Sequence, residues 1–151
     1  SGGLMLNRAI RLKTITGPKL GGYIGDLARL RIGVFRAFPY LYDGDPDYEQ
    51  TYLETYLQCP DAAVVIAFDG DKVVGASSCL PMRDETADFQ QPFITHADTL
   101  PFTLNSLFYC AESVLDPAYR GTGLGVAFFE AREQHARQLG GFTHACVPTS
   151  A

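Results

Sequence analysis

Features that would direct the chain to a membrane, a secretory route or a nucleic acid are missing from its sequence. No segment approaches the roughly 20 apolar residues that span a bilayer, and the first residues lack the apolar core of a secretory signal. There is no run of Lys or Arg to neutralise phosphates, and the net charge is −5. We therefore expect a cytoplasmic protein that binds neither nucleic acid nor membrane.

The cysteines and histidines form no recognisable metal or disulfide pattern. Cys59, Cys79, Cys110 and Cys146 make no C-x-x-C pair and lie mainly in apolar, strand-like runs. The spacing of His96, His135 and His144 matches no ligand motif, and a three-ligand centre would need separate elements to converge. We expect reduced core cysteines and no metal, with a metal or disulfide role as the less favoured alternative.

Length and composition fit a single domain over residues 1–151. In a chain of this length, a hydrophobic content of 46% supplies enough side chains for a real core. No internal repeat, low-complexity tract or linker divides it. The acidic balance mildly favours a cationic or neutral amine as a partner, although many proteins are acidic merely for solubility.

Apolar periodicity predicts an alternation of strands and helices. We expect a strand over 8–16, helices over 24–38 and 46–58, strands over 62–68, 72–80 and 104–115, a helix over 124–139, and a strand over 142–147. The turn Asp69-Gly70-Asp71 suits a tight hairpin, so the strands on either side of it should pair antiparallel. A short helix near Phe93 to Ala97 is expected in the long connection that precedes the fourth strand.

The most informative segment runs from Ser113 to Gly125 and reads S-V-L-D-P-A-Y-R-G-T-G-L-G. A strand leads through a glycine-rich turn into a helix. Gly121, Gly123 and Gly125 carry no Cβ atom, so successive N–H groups can point at one anion. The helix N-terminus favours a pyrophosphate, and Arg120 can add a charge-assisted hydrogen bond. A glycine turn in an ordinary surface loop is the alternative.

Two common phosphate-binding motifs do not fit this turn. A P-loop would need Lys followed by Ser or Thr after its last glycine. A dinucleotide fingerprint would need G-x-G-x-x-G and an acidic residue roughly 20 positions further on, but the stretch from Gly140 to Ala151 has no carboxylate. The remaining pattern, V-x-x-P-x-x-R-G-x-G-x-G, resembles the acetyl-CoA loop of the GNAT superfamily of N-acetyltransferases.

The resemblance covers almost the whole chain, although only the stretch from Glu112 to Gly140 is specific. It implies an α+β or α/β fold with a mixed, mostly antiparallel sheet flanked by helices. It also implies transfer of an acetyl group from acetyl-CoA to a primary amine of a small molecule or peptide. In this family the strand before the loop holds the pantetheine arm and the turn holds the pyrophosphate. Carried over to this sequence, the cofactor-binding residues are Ser113, Val114, Leu115, Arg120, Gly121, Thr122, Gly123, Leu124, Gly125 and Val126.

The reaction needs a base for the attacking amine, and Glu112 is the candidate. A period-two row places Glu112 with Phe108, Cys110 and Val114, where burial among apolar neighbours would raise its pKa toward neutral pH. The alternative is a carboxylate that pairs with an arginine or caps a loop. A main-chain N–H near Val114 or Leu115 would polarise the thioester oxygen.

Two groups of aromatic residues are candidates for a site or a core. Tyr40 and Tyr42 lie in an unusually aromatic connection and are candidates for a substrate wall, where they could stack on a flat or cationic group or else pack inward. Tyr48, Tyr52 and Tyr56 recur at helical spacing, and we interpret this stripe as core packing.

The resemblance also implies that the domain is truncated after its fifth strand, since a complete GNAT domain usually continues with another helix and two more strands. An edge strand over 142–147 would carry unpaired backbone groups and uncovered apolar side chains. We therefore expect a homodimer that buries this edge or its neighbouring surface. A catalytically inactive CoA-binding or structural remnant is the alternative to an active enzyme.

Overall fold

The computed structural model describes residues 10–37 and 44–148, which form one five-stranded sheet with helices on both faces. The strands are β1 (Ile10–Ile15), β2 (Ala63–Asp69), β3 (Lys72–Pro81), β4 (Leu107–Leu115) and β5 (His144–Cys146). The helices are α1 (Ile24–Arg36), α2 (Pro46–Gln58), α3 (Ala87–Thr95) and α4 (Leu124–Leu139). The strands lie in chain order, β1 to β4 antiparallel and β5 parallel to β4. The predicted mixed, mostly antiparallel sheet is confirmed.

Local sequence signals explain why α2 and the central hairpin agree with the prediction. The Asp45 carboxylate caps α2 by accepting hydrogen bonds from the N–H groups of Asp47 and Tyr48, at 3.0 and 3.3 Å. Gly70 has a φ of 62° and forms the tight turn between β2 and β3. Both elements are therefore specified by residues at their own ends.

Three elements differ in extent from the prediction. Helix α3 begins at Ala87 rather than near Phe93, and residues 104–106 form a short 3-10 turn before β4. Strand β5 is shorter than predicted, because Gly141, with a φ of 87°, keeps the chain turning after α4. The predicted end of α1 at Phe38 lies outside the described residues.

Strand β2 is apolar at nearly every position, and both of its faces are buried. This is the pattern expected of an inner strand that helices cover on both sides. Val64 and Ile66 pack with residues of α1 and α2 on one face. Val65 and Ala67 pack with Phe128 of α4 on the other face. The sheet therefore separates two helical layers. One layer contains α1 and α2, and the other contains α4.

A β-bulge interrupts β4 near its middle. Ser78 of β3 lies opposite Glu112, whereas the next residue, Cys79, lies opposite Cys110. Ala111 is thus an extra residue in β4, and the alternation of its side chains shifts by one position there.

The bulge changes which face each half of β4 presents. Phe108 and Cys110 pack on the α4 face, but Glu112 and Val114 lie on the face covered by α1 and α2. The predicted row that joined Glu112 to Phe108 and Cys110 is therefore wrong, because strict alternation does not continue through a bulge.

The tyrosine stripe of α2 is core at its C-terminal end only. Tyr56 is buried and Tyr52 is half-buried, and their rings meet edge to face with centroids 5.8 Å apart. Tyr48 is 59% exposed, so the core interpretation is wrong for this residue.

All four cysteines are free thiols. Cys79 and Cys110 are buried, as expected, whereas Cys59 and Cys146 are half-buried. Burial raises the pKa of the Cys79 thiol to about 12 and that of the Cys146 thiol to about 11. Both are therefore protonated at neutral pH and poor nucleophiles.

Among residues 10–37 and 44–148, no helix combines the length and the apolar character that a bilayer crossing requires. The same residues contain no group of three or more His, Cys, Asp or Glu side chains that could hold a metal ion.

Candidate active site

The glycine-rich turn leads directly into α4 and leaves the N-terminus of this helix uncapped. Gly121 and Gly123 have φ angles of 75° and 82°, which residues with a side chain rarely adopt. Gly123 is the N-cap residue, and the first turn of α4 contains no acidic residue. Helix α2, by contrast, has the Asp45 cap and two acidic residues in its first turn. The N–H groups and the positive end of the α4 dipole are therefore unopposed.

The segment before the turn is anchored to the sheet. The Asp116 N–H donates a hydrogen bond to the Val74 carbonyl at 2.8 Å. Tyr119 is buried, and its hydroxyl donates to the Asp69 carboxylate at the end of β2. The Thr122 hydroxyl in turn donates to the Tyr119 carbonyl at 2.6 Å. The protein's own contacts therefore fix the shape of the turn, which reduces the cost of ordering it around a ligand.

Most of the predicted pyrophosphate residues lie together at this exposed turn. Arg120 and Gly125 are exposed, and Val126 is 66% exposed. A Cβ atom at Gly125 would meet no protein atom within 4 Å, so the space above it is open. Leu124 differs, because its side chain packs in the core with Phe128 and only its backbone faces the turn.

Strands β4 and β5 separate after a short parallel pairing, and a cleft opens between them. Their register ends where Tyr109 lies opposite Cys146. A cavity of about 200 Å³ lies beside the next residues of β4. It is lined by Cys110, Ala111, Glu112, Ser113, Arg132, Val147 and Pro148.

The predicted arm-binding residues of β4 flank this cleft in different ways. Ser113 is exposed and lines it, with its Oγ 2.6 Å from the Oγ of Ser77. The Val114 side chain is buried on the α1 face, and Leu115 packs on the α4 face. Val114 and Leu115 therefore have only their backbone groups to offer to a ligand in the cleft.

Glu112 belongs to a charged cluster beneath α1 and α2. Its carboxylate pairs with the Arg31 guanidinium, which also pairs with the Glu49 carboxylate. The Arg31 guanidinium lies over the Tyr52 ring, 4.5 Å from the centroid. One positive charge against two negative charges leaves an excess of one negative charge. Glu112 is the accessible member, with 28% of its side chain exposed against 1% for Glu49.

This arrangement decides between the two interpretations of the surroundings of Glu112. The Glu112 carboxylate lies in an ion pair with Arg31, as the alternative interpretation predicted. The expectation of apolar surroundings is therefore wrong. An ion-paired carboxylate with an exposed side can still accept a proton, so the role of Glu112 as a base stays a prediction.

Tyr56 borders the same cluster. Burial raises the pKa of Tyr56 well above its usual value, and the neighbouring Tyr52 raises it further. Tyr40 and Tyr42, the predicted substrate wall, lie outside the described residues.

Sequence reasoning missed Arg31, Glu49 and Arg132, three charged residues with exposed fractions of about a tenth or less. A usable signal existed in their spacing. Arg31 follows the buried Leu27 by four positions, and Arg132 follows the buried Phe128 by four. A charged residue at a core-spaced position of a helix points either to a buried ion pair or to a ligand.

Comparisons with known proteins agree with the observed fold. A family model described as the acetyltransferase (GNAT) family matches residues 31–149. No curated protein matches the sequence. The structure of an aminoglycoside N-acetyltransferase, AAC(6′)-Iy, in complex with CoA aligns with a TM-score of 0.64 at 15% sequence identity. That alignment covers 93% of this chain and 77% of the other.

Two further solved structures have the same fold. An aminoglycoside acetyltransferase from an uncultured soil metagenomic sample, in complex with trehalose, has a TM-score of 0.62 and 17% identity, covering 96% of this chain and 80% of that one. A possible acetyltransferase from Clostridium difficile 630 has a TM-score of 0.63 and 12% identity, covering 93% and 80% respectively. At these identities the similarity establishes the fold alone.

The charged cluster predicts a large stability effect for one arginine. We expect Arg31→Met to lower the free energy of unfolding by about 3–5 kcal/mol, because it leaves the buried Glu49 carboxylate without its positive partner. Urea unfolding at neutral pH measures the change. Arg29→Met is the matched control on the same helix, since its pair with Asp26 is exposed and contributes at most about 1 kcal/mol. Equally small effects of both substitutions would contradict the cluster.

Proposed function

Since the chain belongs to the acetyltransferase (GNAT) family, we propose that it acts as one acyltransferase domain, which transfers an acetyl group from acetyl-CoA to a primary amine. The observation that carries this proposal is the uncapped N-terminus of α4 behind a rigid glycine turn. Exposed N–H groups, a positive helix end and Arg120 provide what a pyrophosphate needs. The cleft between β4 and β5 then provides a path for the pantetheine arm along Ser113, Val114 and Leu115.

The proposed reaction forms a C–N bond and breaks the thioester C–S bond. Glu112 takes one proton from the bound ammonium group, directly or through a water molecule, and the neutral amine nitrogen then attacks the thioester carbon. The nitrogen loses its second proton to solvent as the amide forms. The CoA thiolate leaves and takes up a proton from solvent. A main-chain N–H near Val114 or Leu115 polarises the carbonyl oxygen, as the β4 backbone is unpaired with β5 beyond Tyr109 in the described residues.

The charge of the site favours a basic acceptor. The excess negative charge of the cluster formed by Arg31, Glu49 and Glu112 attracts a cationic ammonium group toward its base. Aminoglycosides, polyamines, amino acids and peptide N-termini all carry such a group and form the acceptor panel to be tested. Tyr40 and Tyr42 stay predictions for the acceptor wall, and the cytoplasm stays the predicted location.

Titration of acetyl-CoA into the purified chain tests the cradle for the pyrophosphate. We expect saturable binding that Gly125→Ala weakens, because the new Cβ would stand in the cradle. It would meet no protein atom, and alanine favours a helix, so the fold is kept. Arg120→Ala should weaken binding by about tenfold or more, through loss of a charge-assisted hydrogen bond.

Gly25→Ala is the matched control for Gly125→Ala. Gly25 is likewise the second residue of its helix, α1, on the other face of the sheet, and a Cβ there makes only an ordinary contact. It should leave the affinity for acetyl-CoA unchanged. Absence of saturable binding to the folded wild-type chain would contradict the proposal.

Turnover of the acceptor panel, followed as release of the CoA thiol, tests the base. We expect Glu112→Gln to lower the rate by about 10²–10⁴-fold and to remove the fall in rate on the acidic side, which arises from protonation of the base. Glu49→Gln makes the same change in the other partner of Arg31, but Glu49 is 1% exposed and cannot reach a substrate. This control should keep the acidic limb. An unchanged rate across pH in Glu112→Gln would remove Glu112 from the mechanism.

We also propose a homodimer that buries the β5 edge of the sheet. His144 and Ala145 are exposed on this edge strand, and a cavity of about 400 Å³ lies between β5 and α4. Phe129 and Val147, 40% and 58% exposed, add apolar surface beside it. An exposed edge with apolar flanks favours pairing with a second chain.

Solution scattering at several protein concentrations measures the proposed association. We expect a dimer for the wild-type chain and a monomer for Val147→Asp, which places a charge in the proposed interface. Ile94→Asp is the control, because Ile94 is similarly exposed, at 53%, but lies on α3. It should stay dimeric. A wild-type monomer at high concentration would overturn this proposal.

A further inference from the structure

Arg132 is a buried cation whose hydrogen-bonding capacity is largely unused. Only 7% of the residue is exposed. Its Nη1 makes one long hydrogen bond, 3.5 Å, to the carbonyl of Ser78, and its buried Nε has no partner. A guanidinium has five N–H donors and stays charged in proteins. Burial of such a group without partners is costly, so its position calls for an acceptor that the described residues do not provide.

Arg31, the other described arginine with a largely covered side chain, shows how such a charge is satisfied within the protein. Arg31 pairs with two carboxylates and lies over an aromatic ring. Within residues 10–37 and 44–148, Arg132 has no carboxylate at ion-pair distance, and its contact with the Phe129 ring is a distant 6.0 Å. Its weak bond to Ser78 does not account for a charge in this position.

Arg132 lines the cleft between β4 and β5, together with Cys110 and Ser113. Its charge acts on the same cysteine: burial raises the pKa of the Cys110 thiol, and the Arg132 guanidinium opposes part of this rise. The Arg132 side chain therefore borders the cavity of about 200 Å³ that the separation of the two strands creates, while its Nε atom is itself buried.

The position of Arg132 along α4 relates it to the cradle for the pyrophosphate. It follows Leu124, the first residue of the helix, by two turns, which is about 12 Å at the rise of an α-helix. A ligand with its anion at the helix N-terminus and its arm in the cleft would pass this donor. The pantetheine arm of CoA is uncharged but carries two amide carbonyl oxygens, which are good acceptors for a guanidinium.

On this basis we propose that Arg132 binds an amide carbonyl oxygen of the pantetheine arm. This inference rests on the proposed function, since it assumes that CoA occupies the cradle. It assigns the arm a side-chain contact in addition to the β4 backbone. It also explains why an arginine occupies a core-spaced position of α4 next to a cavity.

A comparison of two ligands distinguishes binding of the pantetheine arm from binding of the rest of the cofactor. CoA carries the arm, whereas 3′-phospho-ADP has the same nucleotide and pyrophosphate without it. We expect Arg132→Met to weaken CoA binding by about tenfold or more, as for a hydrogen bond from a charged donor, and to leave 3′-phospho-ADP binding unchanged. Arg132→Lys should restore part of the loss, because it keeps the charge but not the fork of donors.

Arg137→Met is the matched control on the same helix. Arg137 is 70% exposed and pairs with Glu133 at 3.4 Å, so its loss should change the affinity for neither ligand. Arg120→Ala should weaken both ligands, since Arg120 lies at the pyrophosphate turn. Thermal unfolding of every variant shows whether it is folded before titration.

A second measurement needs no substitution at the site. In the wild-type chain, the Nε–H nuclear magnetic resonance of Arg132, identified by its loss in Arg132→Lys, should shift on addition of CoA and not of 3′-phospho-ADP. If the wild-type chain binds neither ligand, the proposed function fails. If it binds both and Arg132→Met weakens neither, or weakens both equally, only the role of Arg132 is overturned. A loss confined to acetyl-CoA would also overturn it, because the contact would then be to the acyl group.

Discussion

The extra residue in β4, Ala111, determines which groups can meet at the site. It shifts the alternation of side chains by one position, so Glu112 lies on the face of α1 and Ser113 on the face of α4. Without it, the Glu112 carboxylate would share a face with Cys110 and could not reach Arg31. The bulge also lies directly after the last pairing of β4 with β5, where the cleft begins. A local irregularity of one residue thus positions both the charged cluster and the opening between the strands.

The sheet separates two electrostatic environments. On the α1 and α2 side, the cluster of Arg31, Glu49 and Glu112 has an excess of negative charge. On the α4 side, the helix N-terminus, Arg120 and Arg132 are positive groups without acidic partners among the described contacts that involve them. In the proposed reaction, an anionic donor and a cationic acceptor approach from opposite faces and meet at the cleft. Such an arrangement keeps two oppositely charged ligands from competing for one surface.

Rigidity of the surrounding structure supports this division. The turn before α4 is fixed to the sheet through Tyr119 and Asp116, and β2 and β3 beneath it are almost fully buried. Groups held by a buried framework lose little freedom when a ligand binds, so more of the interaction energy appears as affinity. The exposed residues of the turn are glycines and Arg120. A ligand could contact them without disturbing the packing of the core.

The sequence by itself determined most of the helices and strands and the glycine-rich turn before α4. The Asp45 cap, the Gly70 turn and the spacing of Gly121, Gly123 and Gly125 are local signals, and each acts through the backbone conformation of its own segment. The ion pair of Glu133 and Arg137, at 3.4 Å, is local in the same way, since both residues lie on one helix four positions apart. Family resemblance added the sheet and its mostly antiparallel pairing.

Only the tertiary structure decided the partners of the buried charges. Arg31 and Glu112 are far apart in the sequence. Their pairing depends on the bulge at Ala111, which the local sequence did not predict. The position of Arg132 beside an open cleft depends on where β4 and β5 separate. Helix caps and turns are determined by residues that are neighbours in the sequence. Long-range ion pairs and cavities depend on how distant elements pack together, which local sequence patterns do not specify.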